Sequence, residues 1–230
     1  MIENTEQRLL PLVDKAPGQL LIHEIYKSIQ GESTFAGLPC VFVRLSVCDA
    51  RCVWCDTPHA FKEGSPRELD WILTKIRQFS CPLVEITGGE PLLQPEVHPL
   101  MTTLAQERYT VLLETSGAHP VDSVDERVHI ILDLKCPDSG ECERNCWDNL
   151  NYLKPTDEIK FVIASEGDFR WAAEKTHSEG LAKRFQVLFS PVFGSVRPEQ
   201  LAKWVLASGL PVRMQLQMHK YIWDPHARGV

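Results

Sequence analysis

From Leu20 onward, apolar runs of strand length alternate with stretches whose apolar positions repeat at helical spacing. Leu20 to Lys27 and Cys40 to Ser46 read as strands, the second carrying Val41-Phe42-Val43. Pro66 to Phe79 reads as a helix. Ser65 and Glu68 have capping-box spacing, Pro66 takes the first turn, and Leu69, Ile72, Leu73 and Ile76 share one face. Leu83 to Thr87 is strand-like, Glu96 to Glu107 helical, and Tyr109 to Glu114 and Val128 to Leu134 strand-like again. Ile159 to Ala164 follows, then a helix near Phe169 to Glu179 that Gly180 can end. Phe185 to Phe189, a helix over Pro198 to Ser208 stopped by Gly209, and a strand over Val212 to Gln217 complete the series. This alternation predicts right-handed crossovers and a parallel sheet in an α/β domain. Residues 1–19, polar and broken by Pro11, Pro17 and Gly18, read as an N-terminal arm, and residues 20–230 as a single domain.

Composition narrows the function classes. A net charge of −7 argues against a nucleic-acid partner, which needs a clustered basic surface. No run approaches the ~18 apolar residues of a membrane span. The start, Met1-Ile2-Glu3-Asn4-Thr5-Glu6, lacks the basic and apolar regions of a signal peptide. The eight cysteines therefore read as reduced, in a cytoplasmic protein, and partly metal-bound.

Three of them carry the most specific signal. Cys48, Cys52 and Cys55 stand at C-x3-C-x2-C, and soft thiolates so spaced suit three irons of a [4Fe–4S] cluster. Such clusters usually take four cysteines, so a three-thiol loop leaves one iron open to another ligand. Trp54 would shield one face of the cluster. A zinc loop uses similar spacings, and Cys40 or Cys81 could complete a four-cysteine site. Elsewhere Cys136, Cys142 and Cys146 form C-x5-C-x3-C, a possible second metal loop. The polar motifs Cys48 to Cys55, Thr87 to Glu90, Glu114 to Gly117, Asp133 to Lys135 and Gln217 to Tyr221 each follow an expected strand. In parallel α/β folds ligands bind outside the carboxyl ends of strands, so one mouth would collect them all.

The cysteine loop and the later Thr87-Gly88-Gly89-Glu90-Pro91 resemble the signatures of the radical S-adenosylmethionine superfamily. That resemblance implies a partial (β/α) barrel of about six core parallel strands, with S-adenosylmethionine on the open iron. Further segments resemble one family within it. These are His23 to Glu32 with Gln30-Gly31-Glu32, Ala36 to Arg44, Cys55-Asp56-Thr57, Glu114-Thr115-Ser116-Gly117 and His219-Lys220-Tyr221. Over about residues 20 to 225 the chain is similar to the 7-carboxy-7-deazaguanine synthases. That family converts 6-carboxy-5,6,7,8-tetrahydropterin to 7-carboxy-7-deazaguanine with loss of ammonia, on the route to queuosine and other 7-deazapurines. The resemblance further implies Mg2+, an electron donor such as flavodoxin or ferredoxin, and a homodimer.

By the same resemblance Cys48, Cys52 and Cys55 bind the cluster and Thr57 binds Mg2+. Gly89, Glu90, Asp133, Leu134 and Lys135 hold S-adenosylmethionine. Ile29, Gln30, Gly31, Arg44, Thr87 and Pro225 hold the pterin. Arg44 has a physical argument of its own: it interrupts an apolar strand, where an unpaired charge is costly, and its fork suits a carboxylate. Glu114 is expected in the mouth, and Lys160 and His219 are weaker candidates. Family members often end near the position of Pro225, whereas here His226-Ala227-Arg228-Gly229-Val230 follow. Two rival readings share the cluster: a glycyl-radical-enzyme activase, and an Fe–S electron carrier without a substrate.

Overall fold

The computed structural model describes residues 5–13 and 15–230; of the arm expected over 1–19, residues 1–4 and 14 lie outside the described residues. The chain runs α1 (Thr5–Val13), β1 (Gln19–Ile29), β2 (Pro39–Leu45), β3 (Ser65–Glu68), α2 (Leu69–Gln78), β4 (Leu83–Gly88), α3 (Val97–Gln106), β5 (Thr110–Thr115) and β6 (His129–Asp133). Then come β7 (Glu158–Ile163), α4 (Glu166–Ser178), α5 (Leu181–Arg184), β8 (Gln186–Pro191), α6 (Pro198–Ser208), β9 (Arg213–Met214) and α7 (His219–Ile222). All nine strands form one sheet in the order β3-β1-β2-β4-β5-β6-β7-β8-β9.

From β2 onward the strands are parallel and spatially sequential, so the sheet is wound in one sense and never reverses. Six of these strands have five to seven residues, and β9 has two. β3 and β9 are free edges, so the sheet is a partial barrel that does not close. Among the described residues no helix is long and apolar enough to cross a membrane.

Side-chain parity explains the polar interruptions in the apolar strands. Val41, Val43 and Leu45 of β2, Val84 and Ile86 of β4, and Ile159, Phe161 and Ile163 of β7 pack in the hydrophobic cores. The alternate residues Arg44, Glu85, Thr87, Glu114, Asp133 and Lys160 line a cavity on the other face. Register aligns them: Arg44 pairs with Thr87, and Asp133 with Lys160.

Two expectations are corrected. The sheet is not wholly parallel, because β1 runs antiparallel to β2 and β3. Only nine residues join β1 to β2, enough for a hairpin but too few for a helical crossover. The capping box at Ser65 and Glu68 does not form. Those residues and Pro66 are the edge strand β3 paired with Gln19 to Ile22, so α2 starts at Leu69 without a side-chain cap. An edge tolerates Pro66, which has no N–H to donate. α2 does bury Ile72, Leu73 and Ile76. α6 spans Pro198 to Ser208, closed by left-handed Gly209, whereas the last strand shrinks to Arg213–Met214.

Candidate active site

Cys48, Cys52 and Cys55 all line the same cavity of about 710 Å³, beside the inward polar residues of the sheet. The cysteine loop leaves β2 through Val47, whose φ is 77°, a strained value for a β-branched residue. Val47 is held on both sides: its N–H donates to Ala60 at 2.7 Å, and its carbonyl accepts from the Glu90 N–H at 2.9 Å. Gly89 lies so close that a Cβ there would fall on the Val47 carbonyl oxygen, and one at Gly88 (φ 147°) on that of Leu45. The Gly-Gly turn is thus a packing requirement against the cysteine loop.

Neighbours clamp that loop. Arg8 of α1 and Arg144 both donate to the Asp49 carbonyl, at 2.6 and 2.8 Å. The Asp49 carboxylate pairs with Arg144 and His119. Although burial works the other way, these partners hold it at about 2. Arg51 donates to the carbonyls of Cys48 and Ala50, and Val53 N–H to Ser139. Burial, reinforced by the charge of Glu90, pushes the metal-free Cys48 thiol up to about 12.

Cys40 and Cys81 lie at the opposite, amino-terminal ends of β2 and β4 and do not line the cavity, so neither completes a four-cysteine site. Cys136, Cys142 and Cys146 do not line it either. The segment carrying them braces the cysteine loop through Ser139, Glu141 and Arg144. Among the described residues one set of three potential metal-ligating side chains closes within 4.8 Å: His23, Glu24 and His59. Arg44 already occupies Glu24 and the charge of Arg228 bears on His59, a field that disfavours a cation.

The floor of the cavity is a buried charge network. Lys160, 4 % exposed, pairs with Glu32 at 2.8 Å, Asp133 at 3.4 Å, and Glu114. Lys135 pairs with Asp133 at 3.0 Å. Burial disfavours the charge on both lysines, but the carboxylates outweigh it and both stay protonated. Asp133 Oδ1 is buried without a partner, in a residue that lines the same cavity as the three cysteines.

The expected substrate residues Ile29, Gln30, Gly31, Arg44, Thr87 and Pro225 all line the cavity, as do Thr57 and Gly89. Arg44 is partly spent: Nε donates to Glu24 at 2.9 Å and Nη2 to the Tyr26 hydroxyl at 3.0 Å. A guanidinium has five N–H donors, so capacity remains. Both ends of the Gln30 amide are used, Nε2 on Glu85 at 2.6 Å and Oε1 on the Glu32 N–H. The Gln30 backbone is paired as well, its N–H with the Leu38 carbonyl and its carbonyl with the Gly37 N–H, so what Gln30 keeps for a ligand is the second Nε2 hydrogen. Gly31 leaves room for His219, whose ring nitrogen a Cβ would strike, and its carbonyl accepts from Met218 N–H at 2.9 Å. Gln217 reaches Glu32 at 3.0 Å, locking the two ends of the chain together. Lys220 pairs with Asp56 at 2.9 Å and outweighs the desolvation that would raise it, holding it at about 2.

Two expected residues do not face the cavity. Glu90 is fully buried, its carboxylate accepting from Leu92 N–H, the Thr115 hydroxyl, and Ser116 N–H and hydroxyl. Leu134 is in the hydrophobic core. Either can act on a ligand there only by fixing its neighbours. Pro225 and the following residues to Val230 line the rim, and Arg228 reaches Glu63 at 3.5 Å. Residue-by-residue inspection of the sequence missed Glu85, Glu24 and Tyr26. Their signal was parity: each is a polar residue in an apolar strand, as Arg44 is.

These residues fit a [4Fe–4S] cluster with S-adenosylmethionine. Three thiols face the cavity with no fourth beside them, a glycine pair hugs their loop, and the buried Asp133 Oδ1 lacks a partner. The profile of the Radical SAM superfamily matches residues 43–139. The 7-carboxy-7-deazaguanine synthase of Chlorobaculum tepidum is 49% identical over 214 residues, covering 92% of this chain and 97% of that one. The synthase of Koribacter versatilis is 46% identical over 224 residues, covering 91% and 99%. The crystal structure of QueE from Escherichia coli matches with a TM-score of 0.74 over 91% of this chain and 98% of that chain; at 22% identity it speaks for the fold alone. The chain belongs to the 7-carboxy-7-deazaguanine synthase family of the radical SAM superfamily.

Proposed function

We propose that this chain is a carbon–nitrogen lyase that converts 6-carboxy-5,6,7,8-tetrahydropterin to 7-carboxy-7-deazaguanine with release of ammonia, in 7-deazapurine and queuosine biosynthesis. The observation that carries this reading is the cavity itself. It gathers three thiols, an arginine fork with free donors, a hydrogen-bonding floor and the segment Gln30 to Glu32. When bound, the reduced cluster and S-adenosylmethionine supply a 5′-deoxyadenosyl radical that abstracts hydrogen from the pterin.

The chain's residues do the holding. Cys48, Cys52 and Cys55 would ligate the cluster. The Gly89 backbone and the Asp133 and Lys135 side chains would hold S-adenosylmethionine, with Glu90 and Leu134 fixing that wall from behind. Arg44 would grip the pterin carboxylate, Thr87 with Ile29, Gln30 and Gly31 its ring, and Pro225 would close the rim. Thr57, whose hydroxyl is 3.8 Å from Cys55 Sγ, would bind Mg2+, a hard ion that favours oxygen ligands and water. A flavodoxin or ferredoxin would reduce the cluster, in a cytoplasmic homodimer.

An electron carrier needs a fourth ligand, and no fourth thiol lines this cavity. An activase must admit a protein backbone, whereas here Gln30 to Glu32 and residues 224–230 add to the walls of the cavity. The test is anaerobic incubation of the cluster-loaded enzyme with S-adenosylmethionine, reductant and the carboxy-tetrahydropterin. Mass analysis should find the deazaguanine and an equivalent of ammonia, with faster turnover when Mg2+ is added. Cofactor cleavage without the deazaguanine would sink the reading.

Arg44 separates binding from radical generation. Lysine keeps its charge but not its fork. Loss of one charge-assisted hydrogen bond, ~1.5–3 kcal/mol, corresponds to tenfold or more in affinity. Arg44→Lys should raise the Michaelis constant for the pterin roughly tenfold or more. Uncoupled cleavage of S-adenosylmethionine should change little. Equal loss of both activities would make Arg44 a structural partner of Glu24.

A further inference from the structure

Glu85 occupies the middle of β4, between Phe42 of β2 and Leu112 of β5 in register, and its carboxyl faces the cavity at 2 % exposure. Gln30 Nε2 donates to Oε2 at 2.6 Å, and the Glu114 carboxyl lies within hydrogen-bond reach. The charged groups around it are unevenly shared. Lys160 serves Glu32, Glu114 and Asp133, Lys135 serves Asp133, and Arg44 serves Glu24. Among the described residues no ion pair is formed by Glu85. Burial first, then the charges of Glu114 and Glu32, hold its proton well above the ordinary carboxylate range, against the pull of Gln30. The remaining titratable neighbours, Tyr26 and Cys40, are themselves raised by burial and stay neutral. Glu85 thus keeps its proton, while the Glu114 carboxyl beside it is the one that Lys160 pairs.

We propose that Glu85 is the catalytic acid that protonates the departing nitrogen, with Glu114 as the carboxylate that takes up the ring proton. The inference rests on the proposed reaction, whose net change is the loss of ammonia. Once the ring has contracted and the nitrogen remains as an amino group on one carbon, that single C–N bond breaks with its electron pair going to nitrogen. The Glu85 O–H breaks, nitrogen gains that proton, and Glu85 is left as carboxylate. A ring C–H gives its proton to Glu114, and its electrons close the new ring double bond. The proton then crosses the Glu114–Glu85 hydrogen bond and restores the starting pair, so no oxidant or reductant is consumed. Two adjacent carboxyls in unlike surroundings, one without a cation and one paired by Lys160, are the expected arrangement for such a task.

The experiment uses the cluster-loaded enzyme with pterin deuterated at the abstracted position. It follows deuterium transfer into S-adenosylmethionine and ammonia release in parallel. In Glu85→Gln, ammonia release should fall about 100-fold or more, the scale of a lost general acid, while deuterium transfer stays within about threefold of wild type. An isomer of the substrate that retains its nitrogen should accumulate. Glu85→Asp should restore part of the ammonia release, and the loss of rate that wild type shows on alkalinisation should vanish in Glu85→Gln. Should Glu85→Gln fail to fold, Glu85→Asp alone must show the same selective loss of ammonia over deuterium transfer. Equal loss of both signals, or ammonia release unchanged, overturns the assignment. A wild-type enzyme that forms no deazaguanine refutes the proposed reaction instead, whatever Glu85 does.

Discussion

Protein reconstituted anaerobically with Cys48, Cys52 or Cys55 replaced by alanine will not hold a full [4Fe–4S] cluster or cleave S-adenosylmethionine reductively. Each thiol lines the cavity, and none of the other five cysteines does. A lost ligand therefore cannot be replaced from within the site. Iron and sulfide content with the reduced-state electron paramagnetic resonance spectrum measure the first effect, and 5′-deoxyadenosine release the second. Cys40→Ala and Cys81→Ala serve as controls and should keep both, since their thiols sit at the far end of the strands. A triple variant that retained its cluster and its cleavage activity would show that the ligands lie elsewhere.

Lys160→Met will cost about 3–5 kcal/mol of stability at neutral pH, the scale for removing one partner of a buried ion pair. Methionine nearly matches lysine in length, so lost packing contributes little. What remains is Glu32, Glu114 and Asp133 around an uncharged side chain. Burial works to raise both Glu32 and Asp133, but Lys160, helped by His219, outweighs it at Glu32, and Lys135 followed by Lys160 at Asp133; both sit below their ordinary range. A carboxyl depressed by folding contributes stability that is present above its unfolded pKa and lost as pH falls through the folded value. The variant lacks that contribution and can protonate these groups more readily. The gap between the two proteins should therefore be widest near pH 7 and narrow below about pH 4, where unfolded carboxyls titrate. Urea denaturation at several pH values reads this directly. A gap independent of pH would assign the loss to packing.

The parallel core was legible because each strand is an apolar run and each turn carries a polar motif. α6 could be bounded at both ends, with Pro198 opening it and Gly209 closing it. The first third of the chain was harder. The Ser65 to Glu68 tetrapeptide has the letters of a helix cap, yet β1 offers those residues a ladder of hydrogen bonds, and tertiary pairing outweighed local preference. In the site, single-residue reasoning found Arg44 because a charge in an apolar strand needs a partner. It did not find that partner, Glu24, since only the register of β1 with β2 brings the two together. Glu85 was missed for the same reason. Glu90 and Leu134 show the converse: a motif identifies a wall of the site, but not whether a side chain faces the ligand or supports the wall from behind.

The twist at Val47 bears on how the protein acquires its metal. A left-handed β-branched residue costs on the order of 1–3 kcal/mol, and here Ala60 and Glu90 hold it in place without any ligand. The entry to the thiol loop is therefore set by the domain's own backbone hydrogen bonds. Binding a cluster then has less chain to order at that point, and the strain is met by the fold and not by the iron.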